Sequence, residues 1–439
     1  MKKILIFILI VGFISTEVFA AGGSLIFSDT FTDSNDTSLE NHKPEIGTGW
    51  TEVYDRNGTD SLDIDTNRLG PGVLDTTNAG SGYVANATYS SPSYQVKYTC
   101  VNCGDSDEYV YGMIRAQDTI AQNNGAYVLW DTSDQTTIDP KISRITANGS
   151  CATLDIADQG LLENALWPNN VEVVFQAIGS EISAFANNVA HLFAIDTNII
   201  AANKGGVGMG AFPCDTAGDL GGASEDAEQQ VDNFSISKIA AYSTSYRAPT
   251  TNGEVSNDWL NPSNAYADDG SYAEEDANGG AQDYGDFGFS IPARGIIRGI
   301  QIKVEGEVGI IASWVEIGVE VSTDNGATWS SQLLGRYQSS GPDIYLFGHA
   351  NYLWGLNWAA QDTADTDLRI RLEKNNGESG LASHDLEIDY AAVKIFYDMP
   401  AKVRLFGRTI RLKRNIRLHK IESLENFAIT LPKNIYGYL

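Results

Sequence analysis

The chain has 439 residues, 42% of them hydrophobic and 20% charged, which is enough for two or three domains with real cores and excludes wholesale disorder. Its 57 acidic residues outnumber 29 basic ones, a formal charge of −28, and a body this acidic repels phosphate backbones, so nucleic acid is excluded as its main partner. The 43 glycines, with Asn, Asp, Ser and Thr crowding the gaps between apolar runs, predict many strands joined by turns.

The first segment reads as a signal peptide. Lys2 and Lys3 precede an apolar run from Ile4 to Ile14, broken only by Gly12, and Val18-Phe19-Ala20 supplies a small-x-small pattern for cleavage after Ala20. The run is too short to span a bilayer comfortably, with an uncleaved anchor as the alternative. No Cys follows it to suggest a lipoprotein. The expected location is therefore secreted or extracellular, or a virion surface.

Phe27 and Phe31 flank Ser28, Asp29 and Thr30 and open a short strand. Asp33 to Asp36 end it, because their side chains bond their own backbone and favour turns. Another strand begins at Gly47-Thr48-Gly49-Trp50. Tyr94–Tyr98, Tyr109–Arg115, Ala126–Trp130 and Lys141–Ile145 follow as strands. Val171–Phe175 and Glu181–Phe185 are joined by Ala177-Ile178-Gly179-Ser180, a hairpin signal, and Asn187-Asn188 makes a second tight turn before Val189–Ile195. Gly205–Gly210 reads as a small-residue strand, since it lacks the register and following helix of a dinucleotide loop. Val231–Ile236 is an isolated alternating strand that closes the opening sheet. No segment keeps a helical period over a dozen residues.

Residues 239–253, with Ser243-Thr244-Ser245 and Pro249 to Gly253, read as a linker. A second β region spans 254–398, with strands at Gly299–Glu305, Val315–Val321, Leu368–Leu372 and Ile388–Tyr397. The last segment, 399–439, reverses the charge: from Ala401 onward nine basic residues face only Glu422 and Glu425. Its apolar and basic residues alternate at Lys402–Leu405 and Ile410–Lys413, which predicts short strands with one basic face. That face either folds back on the acidic body or attaches the chain to another subunit, a virion or an anionic cell surface. The expected fold is thus all-β: two antiparallel β-sandwich (jelly-roll) domains in tandem, over 21–238 and 254–398, plus a short basic C-terminal β segment.

The D-x-F opening at Asp29-Thr30-Phe31 and the late Asp232-Asn233-Phe234 resemble the paired strands of concanavalin A-like (laminin-G-like) jelly-roll domains. The resemblance covers roughly Ser24 to Lys238. The stretch W-x-N-P-x-x-A-Y-A at Trp259–Ala267, with Gly288–Pro292 and Leu353–Gly355, resembles β-sandwich modules of phage virion proteins. These resemblances imply glycan binding or a structural virion role.

A glycosidase needs two carboxylates across a groove. The laminarinase-like pattern E-x-D-x-x-E is approached only by Glu387-Ile388-Asp389-Tyr390-Ala391-Ala392, which lacks the third acid and lies in the second region. Ser322-Thr323-Asp324-Asn325-Gly326-Ala327-Thr328-Trp329 matches the sialidase Asp-box, a hairpin remote from catalysis. The five histidines have no zinc spacing. Cys100, Cys103, Cys151 and Cys214 read as structural disulfides in an exported chain; strand parity puts Cys151 at the opposite end from the others, so it is unpaired or the strand count is off by one.

The expected work is therefore non-catalytic: recognition of a polysaccharide or cell-surface glycan. A phage fibre, decoration or surface-layer module is the first alternative and a glycoside hydrolase the second. Sugar binding calls for aromatic platforms beside polar groups, and the candidates are Tyr127, Trp130, Asp131 and Trp167. Tyr127 and Trp130 differ by three positions, so they point to opposite strand faces and at most one lies in a groove. The jelly-roll resemblance implies one cofactor, a structural Ca²⁺ between the opening and closing strands, with Asp29 and Asp232 as ligands set against their reading as solvated strand-end acids.

Overall fold

The computed structural model describes residues 24–400, apart from 56–61, 72–79, 102–109, 118–124, 131–139, 147–150, 157–169, 202, 211–229, 310–313, 338–340 and 378–385, together with 402–405 and 408–411. Residues Ala21–Met399 form one compact unit. Its first part contains β1 (Leu25–Asp29), β2 (Thr37–Ser38), β3 (Trp50–Asp55), β4 (Leu62–Asp65), β5 (Arg68–Pro71), β6 (Gly80–Ala85), β7 (Tyr94–Val101), β8 (Val110–Ala116), β9 (Tyr127–Trp130) and β10 (Lys141–Ile145). It continues with β11 (Cys151–Ile156), β12 (Val171–Ile178), β13 (Glu181–Ala186), β14 (Val189–Ile195), β15 (Lys204–Gly210) and β16 (Gln230–Lys238). These strands make two antiparallel layers, β14-β13-β12-β7-β16-β5-β4-β2, with β1 added against β16, and β11-β10-β9-β8-β15-β6-β3.

The opening and closing strands pair as their motifs suggest, with Asp29 opposite Phe234 and Leu25 opposite Ser237. Between the layers Trp50 meets Phe27 edge-on at 4.9 Å and Phe234 at 4.8 Å. The strand period fills this core: Val171, Val173, Phe175 and Ala177 of β12 all point into it. Arg115, fully buried and at φ +55°, is fixed by donating to the carbonyls of Pro92 (3.0 Å), Ile199 (2.6 Å) and Gly179 (2.6 Å).

The second part contains β17 (Tyr242–Ser243), β18 (Thr251–Asn257), β19 (Ala273–Glu275), β20 (Ala281–Gly285), β21 (Ile296–Val308), β22 (Val315–Ser322), β23 (Leu333–Tyr337), β24 (Asp343–Phe347), β25 (Arg369–Gly377) and β26 (Leu386–Asp398). One layer is β17-β26-β21-β24 with β19 on β26, and the other is β18-β20-β25-β22-β23. A separate core lies between them, fed by alternate residues such as Ile300, Ile302 and Val304 of β21 and Ile317, Val319 and Val321 of β22. The Asp-box is a turn at the end of β22. Asp324 accepts from Thr328 N (2.8 Å) and Thr328 Oγ1 (2.7 Å), while Asn325 and Gly326 take φ of +59° and +82°. Trp329 lies under the Arg371 guanidinium, 4.5 Å from ring centre to Cζ.

The stretch 239–253 is paired along much of its length: it supplies β17, the Arg247–Val393 bridge and the start of β18. The two sandwiches also share a sheet, because β14 pairs with β24 through Val189–Phe347 and Ala190–Leu346. That junction buries Val174, Phe185, Ala190 and Leu346 as a small cluster. It explains why β12 and β13 carry apolar residues on both faces. His349 is buried beside it, 5.6 Å from the Phe185 ring. Desolvation pushes its imidazole down to about 3, with Lys97 adding to the effect.

Among the described residues no cysteine is free, and Cys100 and Cys151 are both disulfide-bonded. The other compact unit includes Pro400–Leu439 and holds an antiparallel hairpin, β27 (Lys402–Leu405) with β28 (Arg408–Arg411). Its register pairs Lys402 with Arg411 and Val403 with Ile410. No helix among the described residues is long and apolar enough to cross a membrane.

Candidate functional site: a cleft at the edge of the first sandwich

An open cleft of about 690 Å³ lies at the edge of the first sandwich, lined from β1, the approach to β3, the chain after β6, and the ends of β15 and β16. Ser24, Leu25 and Ile26 form one wall and Asn86, Ala87 and Thr88 contribute another. Gly47 and Thr48 close one side, and Lys204 and Lys238 complete the described lining.

Each wall is held by the backbone. Lys238 N donates to Ser24 O at 3.0 Å, which ties the end of β16 to the start of β1. Thr48 donates to Asn86 O through both its N (3.1 Å) and its Oγ1 (3.0 Å), and Asn86 N donates to Gly49 O at 2.8 Å. The Asn86 side-chain amide is spent on Thr51, with Nδ2 to Oγ1 at 2.8 Å. Gly47 has φ +123°, and a Cβ there stands 2.3 Å from the Phe27 ring, so this position tolerates only glycine. Beside Lys204, Gly205 N donates to Tyr89 Oη at 3.1 Å, which anchors the start of β15. Lys204 belongs to one layer and Lys238 to the other, and among the described residues no carboxylate lines the cleft.

A scan against protein-family models returns no match, and a search of curated proteins finds none. Three solved structures illustrate what the chain is similar to. The carbohydrate-binding module CBM66 from Bacillus subtilis aligns at TM-score 0.31 and 12% identity, over 44% of this chain and 97% of its own. A Bacillus subtilis protein of unknown function with a galectin-like fold aligns at 0.34 and 8%, over 49% and 97%. LamAcat from Zobellia galactanivorans aligns at 0.34 and 10%, over 50% and 99%.

The sequence candidates are not brought together. Tyr127 is fully buried, and its hydroxyl donates to Asp196 Oδ1 at 2.6 Å and accepts from Ile199 N at 3.0 Å. A ring with no exposed face is no sugar platform, so Tyr127 is corrected to a core residue. Burial, then the bond to Asp196, pushes its phenol up to about 12. Trp130 ends β9, with its side chain outside the described residues, as are Asp131 and Trp167.

Asp29 is corrected as well. It is fully buried: Oδ1 accepts from Phe31 N (2.7 Å) and lies 2.8 Å from His42 Nε2, while Oδ2 accepts from Trp50 Nε1 (2.7 Å). Both oxygens brace the opening turn, so Asp29 is a buried structural acid and not a solvated strand-end one. His42 reaches on to Asp33 at 3.2 Å, and the Ser34 N–H, then His42, hold the Asp33 carboxyl below its ordinary value. Asp232 is half-buried in β16, and its Oδ1 accepts from Asn233 N at 2.7 Å.

Among the described residues the acids that do gather are Asp268, Glu305 and Asp389, each offering an oxygen within 4.8 Å of the others. Two of them are answered internally. Lys303 stands 3.2 Å from Glu305, and Asp389 accepts from Asp269 N (3.2 Å) and Gly270 N (3.1 Å). One acid of the first sandwich, Glu52, is held above its ordinary value, by burial first, against the opposing bond from Ser81 Oγ at 2.7 Å. Sequence reasoning missed Lys204, Lys238 and Thr48, which come from strand ends far apart in the chain and carry no shared spacing.

Proposed function

We propose that the chain is a non-catalytic, exported recognition protein whose first sandwich binds a saccharide in the cleft beside β1. The lining of that cleft carries the reading. The polar residues Ser24, Thr48, Thr88, Lys204 and Lys238 line it beside apolar Leu25, Ile26 and Ala87. Sugars present hydroxyls at their edges and C–H faces between them, so mixed walls of this kind suit them. The volume falls within the range of roughly 300–1,000 Å³ common for ligand sites. Glycoside hydrolysis calls for paired carboxylates about 5–9.5 Å apart, and the described residues lining the cleft include none. The test is a glycan array followed by calorimetry on the hits, with a reducing-sugar assay on the same ligands. Binding without release is expected. Release of sugar overturns the non-catalytic reading, and Glu52 is then the first acid to replace.

A structural module without glycan affinity is the second reading. The sheet shared through β14 and β24 favours it, because it joins both sandwiches into one continuous layer, as a spacer requires. A blank array and blank calorimetry would leave this reading. In either reading the basic segment 399–439 serves attachment, and a chain ending at Pro400 is expected to stay folded while losing surface retention.

A further inference from the structure

We infer that the cleft is selective for acidic saccharides, and that it takes a carboxylate or sulfate group of the sugar between Lys204 and Lys238. This rests on the saccharide-binding reading and narrows its ligand class. The first support is the sign of the lining. In a chain of formal charge −28, the described residues that line the cleft include two lysines and no acid. The second is their placement: Lys204 opens β15 in one layer and Lys238 ends β16 in the other, so the cations come from opposite walls.

The third support is the state of Lys238. Elsewhere Lys97 meets Glu172, Lys303 meets Glu305 and Lys394 meets Glu181. The backbone of Lys238 is engaged, its N with Ser24 O and its O with Asn351 Nδ2. Its ammonium has no hydrogen-bond or ion-pair partner among the described residues. An ammonium left open in a concave polar site is a ready donor to an anionic oxygen, and a charge-assisted bond there is stronger than one to a neutral hydroxyl. The hydroxyls of Thr48, Thr88 and Ser24 line the same cleft and suit the neutral edges of the sugar.

The experiment is calorimetry on the full exported chain with four probes: an oligogalacturonate, a sulfated galactan oligosaccharide, and the neutral counterpart of each, methyl-esterified or desulfated. The expected result is binding of at least one acidic probe and a loss of at least about tenfold for its neutral counterpart. The carboxylate and sulfate arms separate the two sources of negative charge. Lys238→Met and Lys204→Met should each weaken the acidic probe by about tenfold, and Lys238→Arg should restore most of the loss. Unchanged melting of each variant shows that the fold is intact. If neutral and acidic probes bind equally and both methionine variants bind as the parent does, the acidic selectivity is wrong while saccharide binding stands. If no probe, acidic or neutral, binds at all, the saccharide reading fails and the inference fails with it.

Discussion

On the second sandwich the arginines of β25 are answered by carboxylates. Arg369, buried, donates through Nη1 to Asp283 Oδ2 at 2.8 Å and through Nε to Asn325 Oδ1 at 2.5 Å, and pairs with Glu254. Arg371 donates to Glu320 at 2.7 Å and covers Trp329, and Arg336 stands 3.6 Å from Glu316 while covering the Trp314 ring. The cleft of the first sandwich is built the other way: Lys238 lines it with no carboxylate partner among the described residues. The difference separates two uses of charge. A desolvated cation must be paired within the fold, because an unpaired buried charge costs more than folding recovers. A cation beside an open cleft stays hydrated, costs the fold little, and remains available to a ligand.

The most damaging way to probe that contrast is Arg369→Met. Asp283 is fully buried and retains only the N–H groups of Val255 (2.8 Å) and Ser256 (2.6 Å) once the arginine is gone. Breaking a buried pair from one side costs about 3–5 kcal/mol. The denaturant midpoint should fall accordingly with an unchanged slope. The double variant Arg369→Met/Asp283→Asn should lose clearly less than the two single losses combined. Strict additivity would mean that the pair does not act as a unit.

Acid probes the junction next. His349 is buried and neutral, and Asn351 N donates to its Nδ1 at 3.3 Å. Its folded value, about 3, lies below the unfolded value near 6.5. Between those values the unfolded chain binds the extra proton, so stability is whole above about pH 6.5 and falls as pH drops toward 3. The loss should be on the order of a few kcal/mol. His349→Gln should flatten that part of the pH–stability curve. A parallel curve in the variant would assign the acid limb to carboxylates instead.

Asp29 offers a smaller, sharper test. Asp29→Ala strands Trp50 Nε1, Phe31 N and His42 in a buried site. Each orphaned donor costs roughly 1–3 kcal/mol, partly relieved by relaxation. The drop in melting temperature should be the same in Ca²⁺ and in chelator. A parent that melts lower in chelator, with a variant that does not, would return Ca²⁺ to the opening strands.

How much of this was legible depended on distance along the chain. Strands such as Glu181–Ala186 were readable because alternation is local, and the pairing of Asp29 with Phe234 followed two short aromatic motifs. The Asp-box turn was readable because its donors and acceptor lie within four residues. The fate of Asp29 was not, since a strand-end acid looks the same whether solvated, ligated or buried. What decides it is His42 and Trp50, 13 and 21 residues on. Tyr127 posed a parity question that alternation alone leaves open; its pairing with Ile114 on β8 turns it inward. The shared sheet rests on two residue pairs at strand edges, for which no periodicity exists.

The smallest expected effect is the most discriminating. Lys238→Met removes a charge with no described carboxylate partner and leaves the backbone bonds of Lys238 to Ser24 and Asn351 in place. Surface substitutions of that kind usually stay within about 0.5 kcal/mol. The methionine retains an apolar stem, so packing along the cleft wall should persist. Lys394→Met is the matched control, since Lys394 is nine-tenths buried or more and stands 2.6 Å from Glu181 across the junction of the sandwiches. That variant should lose a few kcal/mol, because a partly buried carboxylate is left unpaired. Denaturant melts of the two, side by side, measure whether answered and unanswered lysines differ as the structure implies. If Lys238→Met destabilises as much as Lys394→Met, its ammonium is holding the fold together, and the cleft loses its claim to a free cation.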